Sequence, residues 1–471
     1  MRITGQHAST AGAMKGPDPR DVLTQLYRAG VEAVAPGPAL EQALQEIPAA
    51  RRARRVWVLA IGKASYAMAV AAVKTLNAWG CEIAGGIIVS PSAEPAPHPA
   101  IVCVTGDHPV PGRNSLAAAS RLEDVVARVG DTDEAWVLLS GGATSLIAAP
   151  DGPVRPDELS QLFELLLGSG LDIDAMNLVR KRFSRWGAGR LALALAPARV
   201  RNFIISDVIG DKISVIGSGP CVPDQSNAEY VHGLLTTAGL WDRLPLMIRR
   251  RLLAAETDPS LETPKPGDAA FRKVERRIVA SNRMALDAMV ATGRALGLEP
   301  RIVSDALDGE ASVAGDALAT IALSYCRPLG STLSGRSGLP CLIWGGETTV
   351  TLGNATGGRG GRCQELTLAA ARTLAAQRAG AQVTLLVAGT DGRDGPTDAA
   401  GAMVDGNTWE SIQRAGRDPA RDLAAHDAWP ALDAAGALLR TGLTGTNVMD
   451  VALALCRPAD QNAGPSSADG P

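Results

Sequence analysis

Two arginines lie in a glycine-rich segment, residues 357–366, which reads G-G-R-G-G-R-C-Q-E-L and leads into a predicted helix. Glycine lets the backbone approach a ligand closely, and a helix start offers free N–H groups and a positive dipole end to an anion. Arg359 and Arg362 add planar, fork-shaped donors that suit phosphate or carboxylate. The segment therefore predicts an anion-handling site. The alternative is a tight turn with two solvated arginines.

Further residues with chemical potential follow predicted strands in the first half of the chain. Lys63 follows the strand 56–61, where a lysine can meet phosphate oxygens or can simply be a surface lysine at a helix start. The turn 138–145, L-L-S-G-G-A-T-S, offers N–H groups and hydroxyls for an anion cradle, or is a plain strand–helix turn. Asp207 follows the strand 202–206, where a carboxylate can act as a general base or hold Mg²⁺.

The second half of the chain adds carboxylates and hydroxyls in three places. Glu347 stands alone between a Gly-Gly turn and a predicted strand, residues 348–352. Residues 389–398, G-T-D-G-R-D-G-P-T-D, gather three aspartates, but their spacing is wrong for a calcium-binding loop. They indicate a loop that binds Mg²⁺–phosphate, or a tight Asp-Gly turn. Residues 441–450 add a cluster of hydroxyls and an amide.

Composition restricts the class of protein. A chain of 471 residues predicts two domains. A net charge of −3 with dispersed arginines argues against nucleic acid or an acidic membrane surface as the main partner. The seven cysteines are scattered without a C-x-x-C pair, and the five histidines form no metal-like cluster. Residues 1–15 lack the apolar core of a signal peptide, so we expect a cytoplasmic protein without a membrane span.

Predicted strands and helices alternate between two polar tails, residues 1–17 and 457–471, which we expect to be mobile. Short apolar strands that alternate with helices predict parallel β-sheets covered on both faces. In such sheets the ligand crevice lies beyond the carboxyl ends of the strands. The polar, proline-rich residues 256–268 resemble an inter-domain connection. We therefore predict an N-terminal α/β domain, residues 18–258, and a C-terminal α/β domain, residues 268–456.

Several segments together resemble the ATP-dependent glycerate 2-kinases that carry a MOFRL domain. The matching segments are collinear over roughly residues 20–456 and read A-I-G-K-A-S, G-D-H-P-V-P-G-R-N-S, L-L-S-G-G-A-T-S, M-N-L-V-R-K-R-F-S, S-D-V-I-G-D with S-G-P, G-G-E-T-T-V, G-G-R-C-Q-E-L, A-G-T-D-G-R-D-G-P-T-D and T-G-T-N-V-M-D. One such motif is a weak signal, whereas nine in the same order are specific.

The resemblance implies a Rossmann-like N-terminal sheet, a C-terminal MOFRL domain and an active site in the cleft between them. It also implies transfer of the ATP γ-phosphoryl group to the 2-hydroxyl of D-glycerate, with Lys63 and Arg362 as active-site residues. The chain departs from the family pattern at Cys363, where Asn is usual, and at Gly187, where Lys is usual. A helix start and Arg362 would favour a reactive thiolate at Cys363.

These two lines of reasoning give one hypothesis with ATP and Mg²⁺ as cofactors. Lys63, Arg362 and Asp207 are the predicted catalytic residues, and Asp391 and Asp394 the predicted metal ligands. The predicted substrate- and phosphate-binding residues are Ser140, Gly141, Gly142, Thr144, Ser145, Gly346, Glu347, Thr348, Gly361, Thr390 and Asn447. The expected partners are D-glycerate and ATP, with a homodimer left open. The rival hypotheses are an NAD(P)H-dependent hydroxypyruvate reductase and a non-catalytic sensor of nucleotides or sugar acids.

Overall fold

The computed structural model describes residues 18–326, 338–353 and 357–457. This part of the chain forms two six-stranded β-sheets, each with helices on both faces. The predicted α/β fold class is therefore confirmed. The tails predicted to be mobile, residues 1–17 and 457–471, lie outside the described residues except for Arg457.

The first sheet is entirely parallel. Its strands are β1 Arg55–Ile61, β2 Glu82–Ser90, β3 Ile101–Thr105, β4 Glu134–Leu139, β5 Arg199–Ile205 and β6 Val274–Ala280. They lie in the order β3-β2-β1-β4-β5-β6. The central strands β1 and β4 are apolar runs buried on both faces, as expected of covered parallel strands. The strand order reverses between β1 and β4, so a ligand crevice is expected beyond their carboxyl ends.

The helices of the first half are α1 Pro19–Ala33, α2 Pro36–Gln45, α3 Ser65–Trp79, α4 Arg113–Val126, α5 Ala143–Leu146, α6 Pro156–Leu167, α7 Ile173–Phe183, α8 Arg190–Leu195, α9 Ala228–Thr237 and α10 Leu246–Thr257. Helices α2 and α3 cover one face of the first sheet, and α4, α5 and α8 cover the other. Helices α6, α7, α9 and α10 enclose an apolar cluster of their own.

The second sheet is mixed. Its strands are β7 Leu298–Leu307, β8 Leu339–Gly346, β9 Val383–Gly389, β10 Gly401–Asp405, β11 Leu438–Leu439 and β12 Asp450–Cys456, in the order β11-β10-β9-β12-β8-β7. Only β7 and β8 pair in parallel. The prediction of a parallel sheet is wrong here, because β9 joins its neighbour β10 through a loop without the crossover helix that parallel neighbours need. In addition, β12 pairs antiparallel with both β8 and β9.

The helices of the second half are α11 Asn282–Ala295, α12 Ala311–Cys326, α13 Arg362–Ala375, α14 Thr408–Arg414, α15 Pro419–Ala424 and α16 Ala428–Ala434. Helices α12 to α16 cover one face of the second sheet, and α11 covers the other together with α1. The predicted strand 348–352 is absent; Thr349 forms only an isolated bridge with Glu310. Among the described residues, no helix combines the length and apolar character that a transmembrane span requires.

The division of the chain differs from the predicted one in two elements. Helix α1 packs on the second sheet, where Leu23 and Leu26 join Leu286 and Met289 in one apolar cluster. Strand β6 belongs to the first sheet, although it follows the presumed connection at residues 256–268. Both differences reflect contacts between residues far apart in the sequence, which local composition does not record.

Candidate active site

Three strand ends of the first sheet bring Lys63, Ser140 and Asp207 to one edge, because they follow β1, β4 and β5. The backbone N–H of Lys63 donates to the Gly141 carbonyl at 2.9 Å, and Ser140 Oγ accepts a backbone N–H of the β1 turn at 3.0 Å. Gly62 has φ +130°, and a Cβ there would lie 2.2 Å from Ser140 Oγ. Glycine at 62 therefore allows the two turns to touch.

The Asp207 carboxylate lies against the glycine turn that follows β4. A Cβ on Gly141 would lie 1.8 Å from Asp207 Oδ2, so this side chain needs glycine opposite it. Burial raises the pKa of Asp207, and the positive charge of Lys63 opposes that rise. Lys63 itself has no carboxylate oxygen within ion-pair distance in the part of the chain that the structure describes. The ammonium of Lys63 is therefore available to an anion.

His108 lies beside this turn, although the sequence analysis gave it no role. A Cβ on Gly142, which has φ +84°, would lie 2.9 Å from His108 Cδ2. Burial lowers the pKa of His108, and the positive charge of Lys63 lowers it further. The imidazole is therefore neutral near pH 7 and offers one donor and one acceptor. The motif G-D-H-P-V-P-G-R-N-S contained the signal, but spacing alone did not connect it with Lys63.

The two hydroxyls at the end of the predicted cradle bond to other parts of the first domain. Thr144 Oγ1 lies 3.0 Å from Ser218 Oγ, and Ser145 Oγ donates to the Pro109 carbonyl at 2.8 Å. These bonds fix the helix α5 that follows Gly142. The role of Thr144 and Ser145 in anion binding stays a prediction.

Arg362 is held by two carboxylates of the second domain. Its Nε and Nη2 donate to Asp450 Oδ2 and Oδ1 at 2.5 and 2.8 Å, and its Nη1 lies 3.0 Å from Glu347 Oε1. Burial opposes the charged guanidinium, but the bond to Asp450 outweighs it and raises the pKa of Arg362. Asp450, the first residue of β12, was not among the predicted site residues.

The turn after β8 places Glu347 beside Arg362. Gly346 has φ +140°, and a Cβ there would lie 2.2 Å from the Leu307 carbonyl, so β8 passes close to the end of β7. Glu347 is half-buried at this turn, and its backbone N–H donates to the same Leu307 carbonyl at 2.8 Å. The structure thus places Glu347 beside Arg362 at the candidate site. Thr348 is buried and supports the turn that carries Glu347.

Thr390 connects the loop after β9 with the loop before β12, and Asn447 bonds within the second of these loops. Thr390 Oγ1 donates to the Met449 carbonyl at 2.6 Å and accepts the Val448 N–H at 2.9 Å. Asn447 Oδ1 accepts the Met449 N–H at 3.1 Å. Both side chains therefore fix the loop that leads to Asp450, and their contact with a ligand stays a prediction.

The two predicted metal ligands have different surroundings. Both oxygens of Asp394 accept backbone N–H groups at the start of α13, from Cys363 at 3.2 Å and Gln364 at 2.8 Å. A Cβ on Gly361 would lie 2.3 Å from Asp394, so Gly361 admits this cap. Burial raises the pKa of Asp394 to about 7, against the opposing effect of the Gln364 N–H. Asp394 thus caps a helix.

Asp391 lies in the turn after β9, where its Oδ1 accepts the Arg393 N–H at 3.0 Å. Burial raises the pKa of Asp391, and the positive charges of Arg362 and Lys63 lower it. No three side chains with metal-binding groups converge among the described residues. Asp391 keeps carboxylate oxygens suited to Mg²⁺, and as a single ligand it fits a metal that arrives on phosphate oxygens.

Charged groups of both domains influence the pKa of Glu347. Burial raises the pKa of Glu347, and Arg362 lowers it. The negative charges of Asp450 and Asp207 raise the pKa of Glu347 further, and Lys63 lowers it. Lys63 and Asp207 belong to the first sheet, whereas the other three groups belong to the second. The charges of Lys63 and Asp207 therefore reach Glu347.

Cys363 does not have the environment of a reactive thiol. Its side chain is 1% exposed beneath the start of α13. Burial raises the pKa of Cys363 far above its usual value, and the negative charges of Asp450 and Asp394 raise it further. The expected thiolate is therefore wrong, because the thiol is buried and two carboxylates lie close to it.

The fold and the site define an α/β protein with two sheets, in which the charge of Lys63 at the end of the first sheet acts on Glu347 and Asp391 at the end of the second. Residues 340–450 match the MOFRL family, and residues 22–253 match a domain of unknown function, DUF4147.

Three comparisons with known proteins agree with this class. The chain is 35% identical to the D-glycerate 2-kinase of Thermotoga maritima over 93% of this chain and 98% of the relative. It is 39% identical to an Agrobacterium vitis protein provisionally named hydroxypyruvate reductase, over 92% and 93%. A crystal structure of glycerate kinase from Thermotoga maritima superposes with a TM-score of 0.81 at 34% identity, over 93% of this chain and 99% of the other. This chain belongs to the MOFRL-domain glycerate kinase family.

Proposed function

We propose that this protein is an ATP-dependent kinase that phosphorylates the 2-hydroxyl of D-glycerate and releases 2-phosphoglycerate and ADP. The proposal rests on the glycerate kinases among its relatives, and the charge of Lys63, which acts on both Glu347 and Asp391, supports it. Phosphoryl transfer requires mainly positioning and charge neutralisation from a protein. Lys63 and Arg362 would supply the cations for that neutralisation.

Asp207 is the proposed general base. Burial raises its pKa, which makes the carboxylate a better proton acceptor than an exposed aspartate. The hydroxyl oxygen of glycerate would form a bond to the γ-phosphorus while its proton passes to Asp207. The bond from that phosphorus to the bridging oxygen would break and leave ADP. Lys63, beside Asp207, would neutralise charge on the transferred group.

Arg362 is the proposed cation of the second domain. Asp450 holds two of its nitrogens, which leaves the Nη1 edge, now paired with Glu347, to turn toward a phosphoryl oxygen. A guanidinium fixed in this way loses little freedom when it binds a ligand. Mg²⁺ would enter with ATP, held by phosphate oxygens and by Asp391, and would neutralise charge on the β- and γ-phosphates.

A nicotinamide-dependent hydroxypyruvate reductase is the second candidate, favoured by the name of the Agrobacterium vitis relative and by the strand order of the first sheet. However, the β1 turn reads Gly62-Lys63-Ala64-Ser65 and lacks the G-x-G-x-x-G that brings a pyrophosphate close to the backbone. A sensor that binds ATP without turnover is the third candidate. All seven cysteines are free thiols, as expected in a reducing compartment. The proposal therefore includes a cytoplasmic location. It also includes a homodimer.

One experiment separates these candidates. The purified protein is incubated with D-glycerate, ATP and Mg²⁺, and the products are identified by ³¹P NMR. If the protein is the proposed kinase, the spectrum shows ADP and the phosphomonoester resonance of 2-phosphoglycerate. NADH oxidation with hydroxypyruvate, followed by absorbance, would support the reductase. ATP binding without ADP formation would support the sensor, and either result contradicts the kinase.

A further inference from the structure

An open groove of about 510 Å³ lies on the second domain beside the turn that carries Asp391. Its lining includes Arg359, Gly392, Arg393 and Leu443. Gly392 is packed so closely that a Cβ there would lie 2.0 Å from the Gly442 carbonyl. The groove is therefore built on a tightly joined pair of loops, and its volume suits a nucleotide-sized ligand.

The guanidinium of Arg359 is held flat at the edge of this groove. It lies over the Trp429 ring at 3.6 Å from the centroid, and its backbone is fixed by bonds to Asp427 and Trp429 at 2.8 and 2.9 Å. Its side chain is still 51% exposed. Because one face rests on Trp429, the opposite face is a rigid planar cation on which an aromatic base can stack.

Two further side chains of the groove could contact a ligand. Leu443 is 79% exposed, although a large apolar side chain gains from cover. Arg393 is exposed and makes no ion pair within the described ranges. By contrast, Asp398 at the rim is occupied, since it accepts from Trp429 Nε1 at 2.8 Å and Arg440 Nε at 2.9 Å. The groove thus offers an apolar wall, a planar cation and an unpaired cation.

We propose that this groove holds the nucleotide: the base of a purine nucleoside triphosphate stacks between Arg359 and Leu443, and Arg393 neutralises its phosphates. The inference rests on the proposed kinase function. It also assigns the two ligands to the two domains, because the nucleotide then occupies the second domain. The acceptor acid would lie at Lys63, Gly141 and Asp207, at the strand ends of the first sheet.

Three variants test the groove: Arg359→Lys, Leu443→Ser and Arg393→Ala. The dissociation constants of AMP-PNP and of inorganic tripolyphosphate are measured by titration calorimetry, and KM values are measured for ATP and D-glycerate. Lysine keeps the charge but lacks the planar face, so Arg359→Lys should weaken AMP-PNP about tenfold and leave tripolyphosphate within twofold. Leu443→Ser should behave in the same way. Arg393→Ala should weaken both probes.

The matched controls are Arg378→Lys and Val313→Ser, which change exposed side chains elsewhere on the second domain and should leave both constants unchanged. Unchanged AMP-PNP binding in all three groove variants would overturn the proposal, and so would a rise only in the KM for D-glycerate. An equal loss of both probes in Arg359→Lys would contradict base stacking. The calorimetric result does not depend on turnover, so a wild-type protein that binds AMP-PNP but forms no ADP would refute the kinase function alone.

Discussion

Arg362 and Asp450 form a two-point contact in which Nε and Nη2 of the arginine meet the two carboxylate oxygens at 2.5 and 2.8 Å. Arg362 is the first residue of α13, and Asp450 is the first residue of β12. A helix start and a strand start, 88 residues apart, are thereby locked together. The remaining guanidinium nitrogen, Nη1, lies 3.0 Å from Glu347 Oε1.

This contact predicts that Arg362 cannot be replaced by another cation. Arg362→Ala should reduce kcat by about 10²–10³, and Arg362→Lys should lose nearly as much because an ammonium cannot hold Asp450 at two points. Lys63→Ala should cost a similar factor. Steady-state kinetics with D-glycerate and ATP measure these values. Arg372→Ala, on the exposed face of the same helix, is the control and should stay near the wild-type rate. Normal turnover in both Lys63→Ala and Arg362→Ala would refute the site.

The close approach of Gly141 to Asp207 predicts a loss of activity without unfolding. In Gly141→Ala the new Cβ would lie 1.8 Å from Asp207 Oδ2, so the carboxylate must move. A displacement of this size should lower kcat on the order of 10²-fold. Because Gly141 lies on the first domain, the KM for ATP should change little.

The control for that change is Gly233→Ala. Gly233 lies in helix α9, and a Cβ there meets no atom within 4 Å. Kinetics and thermal unfolding are measured for both variants. If Gly141→Ala keeps full activity, or loses activity only because it unfolds, the position assigned to Asp207 is wrong.

The sequence predicted those candidate site residues that depend on local pattern. Apolar runs ending in glycine or aspartate located Lys63, Ser140 and Asp207, because the chain itself brings a strand end and its next residue together. It did not reveal Asp450, whose importance arises from a pairing with Arg362 across 88 residues. His108 was missed for the same reason, since its neighbour Lys63 follows a different strand.

Long-range packing also explains the errors in the fold. The direction of a strand relative to its neighbours depends on which strands it pairs with. β12 is the last strand along the chain, and it lies between β8 and β9, antiparallel to both. Asp394 also has a long-range partner, because both of its oxygens accept N–H groups at the start of α13; its role as a metal ligand stays a prediction.

The environment of Asp207 predicts the acidic limb of the pH–rate profile. Activity requires the carboxylate, and burial raises the pKa of Asp207, so kcat/KM should fall as the pH drops through a value above the usual pKa of about 4. Lys63→Met removes the charge that opposes this rise. The limb should then move to higher pH, whereas Lys63→Arg should leave it in place. A limb that does not move in Lys63→Met would contradict the assignment of Asp207 as the base.

The surroundings of Cys363 predict that its thiol is protected. Because its side chain is 1% exposed and burial raises its pKa, iodoacetamide at pH 7.5 should modify Cys363 far more slowly than Cys81 and Cys103, which are partly exposed. Peptide mass spectrometry after timed labelling measures the three rates. In denaturant all seven cysteines should react at similar rates, which serves as the control. Rapid labelling of Cys363 in the native protein, with loss of kinase activity at the same rate, would show instead that the start of α13 opens to solvent.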